Sequence, residues 1–308
     1  HFFAFFCLST TNPIPSSMEK TLVPAPAAQF PGSFAAVLRQ DHRKYAEIRT
    51  FRSIFHTYFL DGWDDISLWK SAFVEFMGST SLCYTSAMID STLKSFDTPQ
   101  VAAYVAVSNI FLLTLFIYAL APASGGHINP IITFATVCAG LTGFSRGVLY
   151  MVAQTIGAAL AGGLIRGSLG LNLTRANAGG GCLLDSSIIP VGQAYLIESV
   201  LSFVLLLLSF GVGLDPRQGK VFGPKLGPFL TACSLGLVSF SSVGLAPGYP
   251  GAGLNPARCF SFAVARGTFQ NQWIWWFGPV SGALVHSVVY HIVPPYHLER
   301  RKENLAQG

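Results

Sequence analysis

The chain has 308 residues, of which 51% are hydrophobic and only 11% are charged. Soluble domains carry about 25% charged residues, and the mean hydropathy here is +0.49, so an ordinary soluble domain is excluded. The net charge of +5 is not gathered into a basic stripe on a polar domain, which argues against nucleic-acid binding. The composition predicts an integral membrane protein of the helical type.

The N-terminal part lacks a segment long enough to span a membrane. We expect residues 1–65 to form a disordered, basic cytosolic segment, with Met18 as the true start and residues 39–52 as a membrane-surface stretch. The short apolar run at residues 2–8 has no preceding basic residue, which does not fit a secretory signal. Residues 295–308 are predicted to be a cytosolic tail.

Six apolar segments each have about the 20 residues that a bilayer-spanning helix needs. They are residues 68–89, 101–121, 144–165, 195–214, 226–245 and 273–293. Two shorter runs, 129–139 and 255–265, would cover only about half of the bilayer core at about 1.5 Å per residue. Backbone that enters a membrane without crossing it must be buried in protein or line a cavity. These runs therefore predict two half-helices around a cavity.

Both short runs open with Asn and Pro. The motifs are Asn129-Pro130-Ile131 and Asn255-Pro256-Ala257. Asn is a preferred helix N-cap, and Pro is best tolerated at the first helical position. An Asn whose side-chain oxygen caps its own helix keeps its amide N–H groups for donation into a lumen. Two positive helix ends that face each other would oppose a passing cation or proton chain.

The distribution of Lys and Arg predicts the orientation. With both termini inside, 14 of the 19 basic residues fall on the cytosolic side and 5 do not. That asymmetry follows the positive-inside rule. We therefore expect both termini to be cytosolic.

Three landmarks recur at a nearly constant spacing. Glu75 precedes Glu198 by 123 residues, Asn129 precedes Asn255 by 126, and the segment 153–158 resembles 278–283 at an offset of 125. Each repeat holds three spans, an odd number, so the second repeat is predicted to be inverted relative to the first. The two half-helices should then enter from opposite faces and meet near the midplane.

The paired Asn-Pro motifs, the paired glutamates and Gly125-Gly126-His127 resemble the major intrinsic protein family of aquaporins and glycerol facilitators. The resemblance implies an all-α membrane fold of six transmembrane helices and two re-entrant half-helices. Residues 66–294 would form the channel domain, with repeats at about 66–168 and 190–294, and the channel would be a homotetramer. Ile131 in the first motif and Cys259 after the second resemble the plant X intrinsic proteins.

The resemblance also implies a four-residue selectivity filter near the outer mouth. Its members would be Arg258, Ala252, Val243 and a second-span residue that is either Asn109 or Ile110, with Ile110 preferred. A cation in the first turn of a half-helix opposes the helix dipole and is costly at membrane depth. The placement of Arg258 therefore predicts a function, as a donor to passing solutes and a barrier to cations. Small or apolar Val243 and Ala252 indicate a wide filter that admits CH₂ groups.

Other polar residues have competing interpretations. Glu75 and Glu198 are expected to accept N–H groups of the re-entrant loops, although a proton relay is the alternative. His127 is expected to be a structural histidine rather than a pH sensor. Cys182, in an outer loop, is expected to be an intersubunit bridge, a redox-sensitive thiol or a plain loop residue. Cys83, Cys138, Cys233 and Cys259 are expected to act as small hydrophobic residues.

The sequence thus predicts a passive channel for small uncharged solutes: glycerol, urea, hydrogen peroxide and boric acid, with water secondary. The alternatives are a mainly water-conducting aquaporin and a secondary transporter, since inverted repeats serve both channels and transporters. The pattern indicates no catalytic residues, no metal site and no cofactor. The expected partners are the solutes, the lipid bilayer of the plasma membrane and further copies of the chain.

Overall fold

The computed structural model describes Phe59 and residues 62–292, with only the backbone of Lys220. Most of the predicted N-terminal segment and the whole predicted C-terminal tail lie outside these residues. The predictions about Met18, residues 39–52 and the cytosolic termini therefore stay predictions.

Six long helices and two short ones make up most of the described chain. The long helices are α1 Ile66–Lys94, α2 Val101–Ser124, α4 Phe144–Ala176, α5 Val191–Ser209, α6 Pro216–Ser242 and α8 Ile274–Ile292. The short ones are α3 Pro130–Cys138 and α7 Pro256–Arg266; a 3₁₀ turn, Ala178–Gly180, and a π turn, Phe210–Leu214, complete the set. Each predicted apolar segment corresponds to one of the eight α-helices, so the predicted fold class is confirmed.

Within the described residues, four helical segments are long and apolar enough to cross a membrane: Val101–Ser124, Phe144–Ala176, Val191–Leu214 and Val221–Ser242. Helix α1 is not among these four and contains Lys70, Glu75, Asp90 and Lys94 together with several Ser and Thr residues. Helix α8 contains Pro279 and His286. Burying an ionisable group within a span costs free energy, so the ionisable groups of α1 and α8 are candidates for functional positions.

The two repeats use the same helix packing. Helix α1 packs against α4, and α5 packs against α8. A Cβ atom on Gly157 would lie 2.4 Å from the carbonyl oxygen of Phe76, and one on Gly282 would lie 2.3 Å from that of Ser199. Glycine is therefore needed at both positions, and the two close approaches are 125 residues apart along α4 and α8.

Each half-helix ends against a side chain from the third span of the opposite repeat. Arg166 donates from Nε to Ala265 O at 2.7 Å and from Nη2 to Val264 O at 2.9 Å, at the C-terminus of α7. A ring nitrogen of His291 lies 2.9 Å from Cys138 O, at the C-terminus of α3. These contacts satisfy carbonyls that a helix terminus leaves without a partner, and the charge of Arg166 complements the dipole of α7.

Candidate transport pore

The two Asn-Pro motifs cap their own half-helices. Asn129 Oδ1 accepts the N–H of Ile131 at 2.9 Å, and Asn255 Oδ1 accepts the N–H of Arg258 at 3.2 Å. Pro130 and Pro256 occupy the first helical positions, where no backbone N–H is required. Ile131 and Ala257 follow in the first turns and are fully buried.

The same two asparagines join the repeats. Asn129 Nδ2 donates to Leu254 O at 3.0 Å, and Asn255 Nδ2 donates to Ile128 O at 3.0 Å. Ile128 and Leu254 both have positive φ, at 40° and 57°, a strained conformation for residues with large side chains. Each amide has two N–H groups, and these bonds use one of the two to fasten the opposite loop.

Glu75 organises the first re-entrant loop. Its Oε1 accepts the Ser124 hydroxyl at 2.6 Å and the His127 N–H at 3.0 Å, and its Oε2 accepts the Ile128 N–H at 2.6 Å. Gln154 Nε2 also donates to Oε2, at 2.8 Å. A fully buried carboxylate is tolerated in a span only when its acceptor sites are filled in this way.

Glu198 occupies the equivalent place in the second repeat. It accepts the Tyr249 hydroxyl at 2.7 Å and the N–H of Gly253 at 2.9 Å through Oε1, and the N–H of Leu254 at 3.4 Å through Oε2. Each glutamate therefore binds the loop residues that immediately precede an Asn-Pro motif. The arrangement holds each strained backbone in position.

His127 lies beside the first half-helix and is buried. Its Nδ1 lies 3.1 Å from Thr133 Oγ1, and its ring meets that of Tyr150 edge-on at 5.5 Å. These contacts with α3 and α4 fit the expected structural histidine.

A cavity runs past both asparagines. Its polar lining includes Ser86, Asn109, His127, Asn129, Ser209, Thr231, Ser239, Asn255 and Arg258. Apolar side chains from α1, α2, α5 and α6 complete the lining, including Leu82, Leu112, Leu113, Ile117, Leu205 and Leu235. Such a mixed wall presents hydrogen-bond partners to a neutral solute while accommodating its carbon atoms.

The structure places the two second-span candidates on different faces of α2, and Asn109 rather than the preferred Ile110 lines the cavity. Asn109 lines the cavity and donates from Nδ2 to Ser239 Oγ at 2.9 Å. Ile110 instead packs against Gly236 of α6, where an added Cβ would lie 2.4 Å from its Cγ1. Successive residues on a helix point about 100° apart, so a one-residue shift decides which of the two side chains faces the cavity.

The remaining filter candidates take different positions. Ala252 and Arg258 line the cavity. Val243 is the C-cap of α6 and contacts Gly251, whereas Ser239, one turn earlier, contributes to the lining. The Ser239 hydroxyl is therefore the part of α6 that lines the cavity next to Asn109.

Arg258 has partners that sequence reasoning missed. Its Nε donates to Ser86 Oγ and its Nη2 to Asp90 Oδ2, both at 2.8 Å, and its guanidinium carbon lies 4.8 Å from the centre of the Phe262 ring. Asp90 follows directly after the predicted end of the first span and is not among the predicted site residues. Helix α1 continues to Lys94 and carries Asp90 beside the pore.

The structure also corrects the interpretation of two cysteines. Cys182 is only 3% exposed and forms a disulfide with Cys259, so neither an intersubunit bridge nor an exposed free thiol is present here. The loop that carries Cys182 can approach α7 closely because it contains Gly179. A Cβ atom at this position would lie 2.4 Å from Phe262 O, so only glycine permits the approach. Arg266 then holds the loop by donating to the carbonyl of Cys182 at 3.1 Å.

A model of the major intrinsic protein family matches residues 62–290. The chain belongs to the major intrinsic protein family. It is 30% identical over 248 residues to the lens fiber major intrinsic protein of Ovis aries, covering 78% of this chain and 87% of that one. It is 28% identical over 229 residues to Aquaporin TIP1-2 of Zea mays, covering 73% and 85%.

A solved structure supports the same fold. The aquaglyceroporin from Plasmodium falciparum has a TM-score of 0.59 and 18% identity, covering 72% of this chain and 95% of that one. Members of this family are membrane channels and not enzymes. The cavity that passes both asparagines is the candidate pathway for solutes.

Proposed function

We propose that this major intrinsic protein passes small uncharged solutes (glycerol, urea, hydrogen peroxide and boric acid), with water as a secondary solute, and excludes protons and ions. The observation that carries the proposal is the junction of α3 and α7 beside a cavity with both polar and apolar walls. Two helix N-termini and two amide donors at one place favour a neutral acceptor over a cation. Exclusion of cations by half-helix dipoles is the general account of aquaporin-type pores.

The side chains around Arg258 support polyols over water alone. Ala252 is small, and the hydroxyls of Ser86 and Ser239 and the amide of Asn109 also line the cavity. A polyol could exchange hydrogen bonds with these groups while its CH₂ groups lie against the leucines. The side chains that line this cavity in the described part of the chain include no Phe, Tyr or Trp, the bulky aromatic residues that narrow a water-selective filter.

Uptake by reconstituted vesicles tests the solute class. We expect glycerol and boric acid to enter vesicles that contain the protein faster than empty vesicles, alongside osmotic swelling. The variant Val243→His with Ala252→Cys should lower glycerol uptake about tenfold, equivalent to about 1.4 kcal/mol at the barrier, with less effect on water. Fast swelling without solute entry would instead identify a mainly water-conducting channel.

The transporter alternative predicts different kinetics. A secondary transporter generally binds its coupling ion at midplane polar groups, whereas Glu75 and Glu198 are engaged by loop donors. We expect solute flux through the wild-type protein to rise linearly with concentration and to have a low activation energy. Saturation together with dependence on an ion gradient would favour the transporter.

Finer assignments belong to the same proposal. Asn-Pro-Ile at the first motif and Cys259 after the second support membership in the plant X intrinsic protein subfamily. A homotetramer in the plasma membrane with both termini in the cytosol follows from the family resemblance and the distribution of basic residues. Cross-linking of the purified protein and protease protection of tagged termini would test these assignments.

A further inference from the structure

The guanidinium of Arg258 is held by one face of α1. Ser86 and Asp90 are four residues apart on this helix and accept from Nε and Nη2, both at 2.8 Å. Ser86 Oγ also lies 3.4 Å from Asp90 Oδ2, which closes a triangle of polar contacts. A spacing of four residues places both side chains on the same helix face, so the two contacts act together.

These contacts limit what Arg258 can offer to the lumen. A guanidinium carries five N–H donors in a rigid plane, so the bonds to Ser86 and Asp90 leave three donors for solutes. Phe262 lies against the guanidinium at 4.8 Å and restricts its rotation further. The plane and reach of Arg258 are thus set by its neighbours rather than by the backbone of α7 alone.

The pair also changes the charge of the pore. The side chains of Arg258 and Asp90 are only 18% and 19% exposed. At such a site the carboxylate offsets most of the guanidinium charge, whereas removal of either partner leaves the other charge uncompensated. A charged residue within a span is costly, and the contact with Arg258 gives Asp90 a reason to be there.

We propose that Asp90 is the positioning residue for Arg258: it holds the guanidinium against α1 and thereby keeps the pore open to solutes wider than water. The inference rests on the proposed function, because it concerns how the filter admits polyols. Without Asp90, Arg258 carries an uncompensated charge and is free to turn toward the lumen. There it would narrow the path and bind hydroxyl groups more strongly, and both effects slow glycerol more than water.

The decisive variant is Asp90→Asn, which keeps the size of the side chain and removes its charge. In vesicles with matched protein content, the ratio of glycerol to water permeability should fall about fivefold, equivalent to about 1 kcal/mol between the two barriers. Asp90→Glu should retain most of the wild-type ratio because it keeps the carboxylate. An unchanged ratio for Asp90→Asn would overturn the proposal.

Asp97→Asn is the matched control. It removes the same charge from an exposed position shortly after the end of α1. Asp97 has φ of 45°, a conformation that Asn also tolerates, so the substitution should leave the backbone unchanged. The permeability ratio of this variant should equal that of the wild type, and an equal fall in both Asn variants would show a nonspecific charge effect and contradict the proposal.

A double-mutant cycle separates positioning from a general structural role. In an Arg258→Ala background, Asp90→Asn should produce no further change in the permeability ratio, because the residue it positions is absent. A persistent fivefold fall would overturn the proposal. If Asp90→Asn does not insert, Ser86→Ala supplies the second variant, since it removes the Nε partner and should lower the ratio in the same direction, and no fall would count against the proposal.

The same experiments distinguish failure of the positioning role of Asp90 from failure of the proposed solute class. If wild-type vesicles take up no glycerol, the proposed solute class fails. The positioning role is then judged from osmotic water permeability, which Asp90→Asn should alter and Asp97→Asn should not. Equal water permeability in both variants would overturn the role of Asp90 as well.

Discussion

Asn129 and Asn255 each donate a side-chain N–H to the loop of the other repeat, at 3.0 Å in both directions. Each asparagine also caps its own half-helix. The junction of the two repeats is thus a reciprocal pair of hydrogen bonds in which every cap is also a cross-link. A substitution in one motif should therefore also change the position of the loop that precedes the other motif.

Two substitutions of Asn255 test whether its contacts stabilise the junction. Asn255→Asp keeps the capping oxygen but loses the N–H that binds Ile128 O and places a carboxylate against a carbonyl. Asn255→Ala also loses the cap, which is worth about 1 kcal/mol. We expect both variants to unfold at lower temperature in detergent and to conduct less solute. Normal stability and conduction in both would contradict a structural role for the cross-link.

Glycine at the helix crossings should be irreplaceable. Gly157→Ala and Gly282→Ala would each bring a Cβ within 2.4 Å of a carbonyl oxygen on the neighbouring helix. We expect a loss of about 1–3 kcal/mol for either variant, as for other overpacked sites. Gly163→Ala on the same helix as Gly157 is the control, because nothing lies within 4 Å of its added Cβ. The control should be neutral or more stable by about 0.5–1 kcal/mol, as measured by thermal unfolding.

The disulfide predicts a specific labelling pattern. Cys182 and Cys259 should react with a maleimide in the denatured protein only after reduction, whereas Cys83, Cys138 and Cys233 should react without it. Cys182→Ser should lower the free energy of unfolding by about 2–4 kcal/mol, in the range usual for a native disulfide. A dimer band on non-reducing gels that disappears in Cys182→Ser would instead support an intersubunit bridge.

Asn109 and Ile110 should respond differently to substitution. Asn109→Leu replaces a lining amide by a side chain of similar size and breaks the bond to Ser239, so it should change the ratio of glycerol to water permeability. Ile110→Val removes one methylene at the contact with Gly236 and should cost about 0.5–1.5 kcal/mol of stability without altering that ratio. The reverse pattern would restore Ile110 as the filter residue.

Local signals explain why most of the fold was predictable. A run of about 20 apolar residues predicts a span by itself, and an Asn-Pro pair before a shorter run predicts a capped helix start. The recurrence of Glu75 at Glu198 and of Asn129 at Asn255 then required an inverted repeat. Each of these inferences depends on neighbours in the chain or on a count of spans.

Contacts around Arg258 were not predictable in this way. A shift of one residue turns a helical side chain by about 100°, so the choice between Asn109 and Ile110 depended on a helix register that spacing alone does not provide. Asp90 was not among the predicted site residues, because its neighbours in the chain do not indicate what the end of α1 contacts. In this protein, that contact is Arg258.

The amino-acid sequence by itself determined the membrane class, the six spans, the two half-helices and the asparagines at their starts, because helix length, hydropathy and capping act over short stretches of chain. Only the tertiary structure decided that Cys182 meets Cys259 across a separation of 77 residues and that Asp90 meets Arg258 across 168. Both contacts depend on how closely separate segments approach each other: a glycine loop against α7 in one case, and α1 beside the start of α7 in the other.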